Sequence, residues 1–285
     1  MKIGVSSYSF QQLISAEKET QLSIMKIAKD MGFDGIEFID LDPPEGVTEA
    51  QYAEMIREES EKLSLPVTAY TISANLLKDT GVDAEVERIC RKVDIATILG
   101  AKNLRHDAAW SVPDDIRAFA GFEQVLPTLV DGCKKVTEYA HTKGVTTMIE
   151  NHGFFCQDSE RVEKIINGAQ NANFGVLLDM GNFACADENS ALATGRLASY
   201  IKHVHAKDFH IKSGNSLNPG KGFFKSRGGN YLRGAIIGHG DIPVMQCLSI
   251  IKDSGYEGFV SIEFEGLEDC LKGIEIGLEN LKKMV

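Results

Sequence analysis

Hydrophobic and polar positions along this chain switch repeatedly between two periods. Short runs rich in β-branched and aromatic residues alternate with longer stretches whose apolar residues recur every three or four positions. Ile3–Ser7, Gly35–Ile39, Pro66–Ile72 and Ala101–Arg105 have the first pattern and read as strands. Thr20–Met31, Thr48–Leu63 and Asp83–Leu99 have the second and read as amphipathic helices, with Leu22, Met25, Ile27 and Ala28 on the apolar face of the first. Gly32 and Gly100 close two of these helices, where a left-handed residue is favoured. A helical region then runs to about Lys143.

The second half continues the alternation. Val145–Glu150 is a fifth strand, Gln157–Ala169 a helix capped by Asp158 or Ser159, and Phe174–Leu178 a sixth strand ending in Asp179. Glu188–Tyr200 is helical and Ile201–Ala206 is the seventh strand. Lys207–Gly240, rich in Gly, Ser, Asn and Lys, reads as a long irregular connection. Ile242–Ser254 is a helix with Asp241 as its capping candidate, Phe259–Phe264 is the eighth strand, and a last helix follows. Eight strand–helix units predict an α/β fold, a (β/α)8 TIM barrel forming one domain over residues 1–285. No GxGxxG follows the first strand, which argues against a doubly wound dinucleotide fold.

Composition narrows the function classes. The formal net charge of -11 repels nucleic-acid phosphates. Six scattered cysteines without a CxxC pair suit reduced thiols better than a disulfide framework. MKIGVSSYSF lacks a signal-peptide apolar region, and no run approaches the roughly 18 apolar residues of a membrane span. A cytoplasmic protein acting on a small molecule, with no nucleic-acid or membrane partner, is the expectation; a homo-oligomer is compatible with it.

The chemistry gathers at strand ends. VTTMIENHG is an apolar strand that stops abruptly in Glu150, Asn151 and His152. A carboxylate is costly there unless paired or bound to something, and barrel strands open to ligand at their C-terminal ends. The pattern recurs on the next strands as Asp179, His205 and Glu263. Side chains alternate faces along a strand, so His203 and His205 point one way, as do Leu177 and Asp179, and Glu263 and Glu265. With these faces turned to the axis, Glu150, Asp179, His205 and Glu263 converge at one mouth. Three carboxylates and an imidazole favour Mn²⁺ first, then Mg²⁺, over a thiolate-type site, with Co²⁺ and Zn²⁺ as alternatives. His106, His152, Asn182 and Lys207 are the candidate substrate contacts around them, with Asp208 as a further mouth candidate. His203 reads as a layer residue below the metal, and Glu37 as reaching the mouth or bridging to Arg105.

These residues carry a resemblance. IEN, LDMGN, HVHAKD, GHGDIP and SIEFE are similar to the motifs of the xylose-isomerase-like TIM-barrel superfamily. That group includes sugar and sugar-phosphate isomerases and epimerases and the AP-endonuclease family 2 proteins. The resemblance implies that Glu150, Asp179, His205 and Glu263 form a single divalent-metal site, and that Glu150 and Glu263 are the acid/base pair used by its ketose epimerases. Asn182 stands where endonucleases and many epimerases of the group carry His, and Lys207–Gly240 is read as lacking the endonucleases' Asp-x-His. With the acidic net charge, this sets DNA repair aside.

The implied activity is isomerisation or epimerisation of a sugar, sugar phosphate or keto-sugar through a metal-stabilised enediolate. The same intermediate can expel a β-leaving group, so a lyase or dehydratase acting on a keto-sugar or cyclitol is the alternative. A non-catalytic carbohydrate-binding barrel ranks lower. In the Lys207–Gly240 segment, Arg227 and Arg233 flank a Gly-Gly pair and are expected to meet an anionic substrate group under a closing lid.

Overall fold

A computed structural model describes residues 1–285. Eight parallel strands close into a barrel: β1 (Lys2–Ser6), β2 (Gly35–Ile39), β3 (Val67–Ile72), β4 (Asn103–His106), β5 (Thr146–Glu150), β6 (Phe174–Asp179), β7 (Ile201–Ala206) and β11 (Phe259–Ile262). β1 pairs with β11 in register Lys2↔Phe259 to Val5↔Ile262, which joins the last strand to the first. The chain is therefore the TIM barrel that its alternating periods predict.

The helices α2 (Ile24–Met31), α3 (Glu49–Leu63), α4 (Val82–Leu99), α5 (Phe122–Thr142), α6 (Ser159–Ala169), α7 (Ser190–Leu197), α8 (Val244–Asp253) and α9 (Cys270–Leu281) follow the strands in turn, after a four-residue α1 (Gln11–Ile14). Their caps match their sequences: Thr48 and Gln51 form a capping box on α3, and Asp158 accepts the Arg161 amide at α6. Three boundaries differ from expectation. Thr20–Ser23 is a turn in which the two side chains exchange backbone bonds, so α2 begins at Ile24. Residues 107–121 are largely irregular before α5. Asp241 does not cap α8; its carboxylate accepts the Ile211 amide at 2.7 Å.

The larger difference lies in Lys207–Gly240. This segment holds β8 (Asp208–Lys212), β9 (Phe224–Lys225) and β10 (Tyr231–Ala235), an antiparallel sheet in the order β8-β10-β9. Gly234 of β10 bridges to Gly266, and a Cβ at Gly234 would run into the Glu265 backbone, so the small sheet seats closely beside the barrel mouth.

The apolar core is one cluster of 69 buried residues, in which outward strand residues such as Ile149, Leu178, Val204 and Val260 join Val136, Ile165 and Leu278 from the helices. Inside the barrel only Ala69, Met148 and Leu177 form an apolar layer. Toward the strand C-termini the interior becomes ionic. No helix is long and apolar enough to cross a membrane.

Candidate metal centre

Glu150, Asp179, His205 and Glu263 are all buried, and one donor atom from each lies within 4.8 Å of the others. His205 Nδ1 is 3.8 Å from Glu150 Oε1, 3.7 Å from Asp179 Oδ2 and 3.5 Å from Glu263 Oε2. Those separations are too long for hydrogen bonds and leave room for an ion between the atoms. His205 Nδ1 and Asp179 Oδ2 have no hydrogen-bond partner although both are fully buried. Buried polar atoms without a hydrogen bond are rare; Nδ1 has no other partner and Oδ2 only the Lys207 ammonium at 3.2 Å, and a cage of such hard donors fits a divalent cation.

The surroundings hold each donor in place. His205 Nε2 is 2.7 Å from Glu37 Oε1, so a proton on Nε2 leaves Nδ1 free to accept an ion. Glu37 is also 2.9 Å from His203 Nε2, which in turn meets Ser261 Oγ at 2.9 Å. Glu37 thus supports the centre from below and does not bridge to Arg105, and His203 is the layer residue expected. The two histidines hold the Glu37 carboxylate far below its ordinary range against the opposing effect of burial. Burial works against protonated His205, but Glu37 and Glu263 outweigh it and raise its pKa well above the ordinary value. Asp179 Oδ1 accepts the Gly181 and Asn182 amides at 2.7 and 2.8 Å, while the Asn151 side chain exchanges two bonds with the Asp179 backbone. The DMGN turn therefore aims Oδ2 at the axis.

Two cations flank the cage. Arg105 Nη2 reaches Glu150 Oε2 at 2.6 Å and Asp107 Oδ1 at 2.8 Å. Lys207 is 3.2 Å from Asp179 Oδ2 and 3.3 Å from Glu265 Oε1, and it pairs directly with Glu263. Asn182 links the two sides: its amide donates to Glu150 Oε1 at 2.9 Å and its oxygen accepts from Lys207 at 3.2 Å. A cavity of about 300 Å³ opens above, lined in part by Tyr8, Arg105, Glu150, His152, Lys207 and Glu263.

The candidate substrate contacts divide. His152, on Asp107 at 2.9 Å, and Lys207 line the cavity, whereas Asn182 is not in its lining and meets it only through Glu150 and Lys207. His106 does not: it is fully buried, turned outward, and stacks on Phe174 with ring centroids 6.5 Å apart. Adjacent strand residues face opposite ways, and Arg105 takes the inward place. Arg227 and Arg233 also lie outside the mouth. Arg227 bonds Asp158 Oδ2 at 2.9 Å and the Phe154 carbonyl, and Arg233 is 3.2 Å from Glu268 Oε1. An Asp-x-His does follow β7, as Asp208–Phe209–His210, contrary to expectation. Asp208 is consumed by the Phe209, Gly238, Gly240 and Ile242 amides, so it is no mouth ligand. The cavity lining also holds Tyr8, Arg105 and Glu265; of these the sequence reading left out Tyr8, and it named Arg105 and Glu265 without giving them a part in the site. The β4–β5 register sets Arg105 beside inward-facing Met148, a relation that strand alternation alone does not supply.

Comparisons with known proteins agree with this architecture. The family model described as xylose isomerase-like TIM barrel matches residues 25–284. An inosose dehydratase of Clostridium perfringens (strain 13 / Type A) is 26% identical over 146 residues, 50% of this chain and 48% of that protein. The chain thus spans about half the length of the curated relatives it matches. Among solved structures, the IOLI protein with a binding zinc atom superposes with a TM-score of 0.78 at 16% identity, covering 100% of this chain and 98% of that one. A D-tagatose 3-epimerase-like protein superposes with a TM-score of 0.73 at 21% identity, covering 100% and 98%.

Proposed function

Because the chain belongs to the xylose isomerase-like TIM-barrel family, we propose that it is a divalent-metal-dependent isomerase or epimerase of a sugar, sugar phosphate or keto-sugar. The observation that carries this reading is the buried cage of Glu150, Asp179, His205 and Glu263, with one donor atom from each within 4.8 Å of the others. Three carboxylates and one imidazole, with no cysteine among them, favour Mn²⁺ or Mg²⁺. The zinc of the IOLI structure keeps Zn²⁺ in the comparison, with Co²⁺ beside it.

When bound, the ion would polarise a substrate carbonyl and stabilise negative charge on its oxygens. The chain's own groups supply the rest. Arg105 and Asn182 engage both oxygens of Glu150, which fixes the carboxylate for proton transfer. Glu263 is presented on the other side by Lys207, three places away in the barrel order β11-β7-β6-β5. A proton taken by one glutamate and returned by the other changes the configuration of the carbon between them. Return to the neighbouring carbon gives isomerisation.

Dehydration is the second reading, supported by the inosose dehydratase relatives and by Lys207. Its buried ammonium could protonate a departing β-hydroxyl to water while a glutamate takes the α-proton. The deciding experiment is metal analysis followed by NMR of a sugar, sugar-phosphate and inosose panel in D₂O. Deuterium at the α-carbon is expected, with product identity separating the two reactions. Absence of exchange from the whole panel with Mn²⁺-, Mg²⁺- and Zn²⁺-loaded protein would overturn both.

A further inference from the structure

The mouth continues sideways into a second cavity that neither the ion nor the glutamates require. It has a volume of about 460 Å³, and its lining includes His152, Lys207 and Glu265, all of which also line the mouth. Its outer wall is aromatic: Trp110, Phe154, Phe209 and Phe224. Trp110, Phe154 and Phe224 are 51, 46 and 37% exposed, a concentration of open aromatic surface unusual for a charged protein. Asn182 and Gln157 add hydrogen-bonding groups to the same cavity. Aromatic faces interleaved with a few fixed polar groups suit a sugar ring, which offers C–H faces and a hydroxyl rim.

The wall is held open by the backbone. Phe154 has φ of +63°, a left-handed conformation disfavoured for an aromatic residue. Its amide donates to Gln157 Oε1 at 2.6 Å, and its carbonyl accepts from Arg227. Arg227 also grips Asp158, tying the small sheet to the loop after β5. Strain retained at a cavity edge by two dedicated side chains is a mark of a binding surface. A third cavity, lined by Lys78 and Arg88 and sharing Trp110 with this one, offers less, because both cations are spent on Glu85.

We propose that this aromatic cavity binds a second sugar ring, so that the preferred substrate is a disaccharide or glycoside whose reacting unit lies in the mouth. This rests on the reading of the mouth as a sugar site. Arg227 is on this account a positioning residue for Phe154.

Binding is read by isothermal titration, which registers a sugar in the mouth or in this cavity, and the fluorescence of Trp110, the chain's one tryptophan, reports on the cavity wall. Fructose and glucose would be titrated against maltulose, maltose, cellobiose and sucrose, with Mg²⁺ present. At least one disaccharide should bind ten times more tightly than either monosaccharide. Phe224→Ala should erase that advantage while leaving monosaccharide affinity within twofold, and Arg227→Ala should reduce it. Circular dichroism and metal content, unchanged in both variants, would exclude misfolding. If every disaccharide binds no better than its component hexoses, or if Phe224→Ala weakens both classes equally, the second-ring site is wrong. Deuterium exchange on the same sugars is scored separately. A disaccharide preference without exchange would sink the isomerase reading alone, and exchange on monosaccharides without a preference would sink only this one.

Discussion

Glu150 and Glu263 face the same histidine across one mouth, yet their flanks differ in kind. Glu150 is held by a guanidinium that it shares with Asp107, and by the Asn182 amide. Burial nevertheless raises its pKa above the ordinary carboxylate value. Glu263 is held by Lys207 and faces His205. There burial is outweighed by the two cationic neighbours, which hold the carboxyl well below its ordinary range. Two groups of equal intrinsic acidity are thus shifted in opposite directions by the chain's own side chains. Arg105 anchors its side through Nη2, shared by two carboxylates, with Nη1 tied to the Ile72 carbonyl, whereas Lys207 is a point charge among carboxylates that an ion would also bind.

The largest test addresses the two carboxylates themselves. Glu150→Gln and Glu263→Gln each retain an oxygen ligand but lose the base. Each should lower turnover by about 10²–10⁴-fold, the usual worth of a positioned proton-transfer group, while metal content stays near stoichiometric. His205→Ala and Asp179→Ala should instead remove the metal. Wild-type deuterium exchange in either Gln variant would break the pairing of the flanks.

The two cations provide the next test. Arg105→Met strands Glu150 and Asp107, and Lys207→Met strands Glu263 next to Asp179. Removing one partner of a buried ion pair costs about 3–5 kcal/mol. Mg²⁺ should recover most of the loss in Lys207→Met, because the ion replaces the missing charge among the same carboxylates. It should recover less in Arg105→Met, since of the two stranded carboxylates only Glu150 belongs to the ligand set and Asp107 stays unpaired. Urea denaturation with and without Mg²⁺ distinguishes them, and equal rescue would show that the flanks are equivalent.

Glu37 supports both sides through His205. Glu37→Gln weakens the hold on the imidazole and should lower metal affinity by about 10–100-fold, as loss of such supporting partners generally does. Isothermal titration would measure it, and unchanged affinity would leave Glu37 as a packing residue only.

Much of this arrangement is legible in the sequence because strand alternation and strand ends are local signals. Glu150, Asp179, His205 and Glu263 each terminate an apolar run, and the structure brings all four together. The same alternation sets Arg105 and His106 of β4 on opposite faces, but the mixed pattern of Ala101–Arg105 does not reveal which face is inward. The small sheet escaped for a different reason. β8 and β10 are separated by a long polar stretch, so neither carries a core signal alone and their pairing is non-local. The partners of Arg227 and Arg233 are similarly distant in sequence, at Asp158 and Glu268, and a cationic loop looks the same whether its charges are free or paired.

The smallest expected effect lies on the Arg105 flank and concerns acid stability. Asp107 is buried, and burial alone would favour its neutral form. Arg105 and His152 reverse this and hold its carboxyl down at about 2, below its ordinary 3.8. A carboxyl whose pKa is depressed in the folded state contributes stability that is fully present above the unfolded value. That contribution is lost as pH falls through 3.8 toward 2. At one pKa unit per 1.36 kcal/mol, the loss is about 2 kcal/mol across this window. Asp107→Asn carries no proton to gain, so its stability should fall less steeply below pH ~4 than that of the wild type, from a lower neutral-pH starting point. Urea midpoints between neutrality and mild acid would measure the difference in slope. Parallel curves would show that Arg105 serves Glu150 alone, and the shared guanidinium would then cease to distinguish the two flanks.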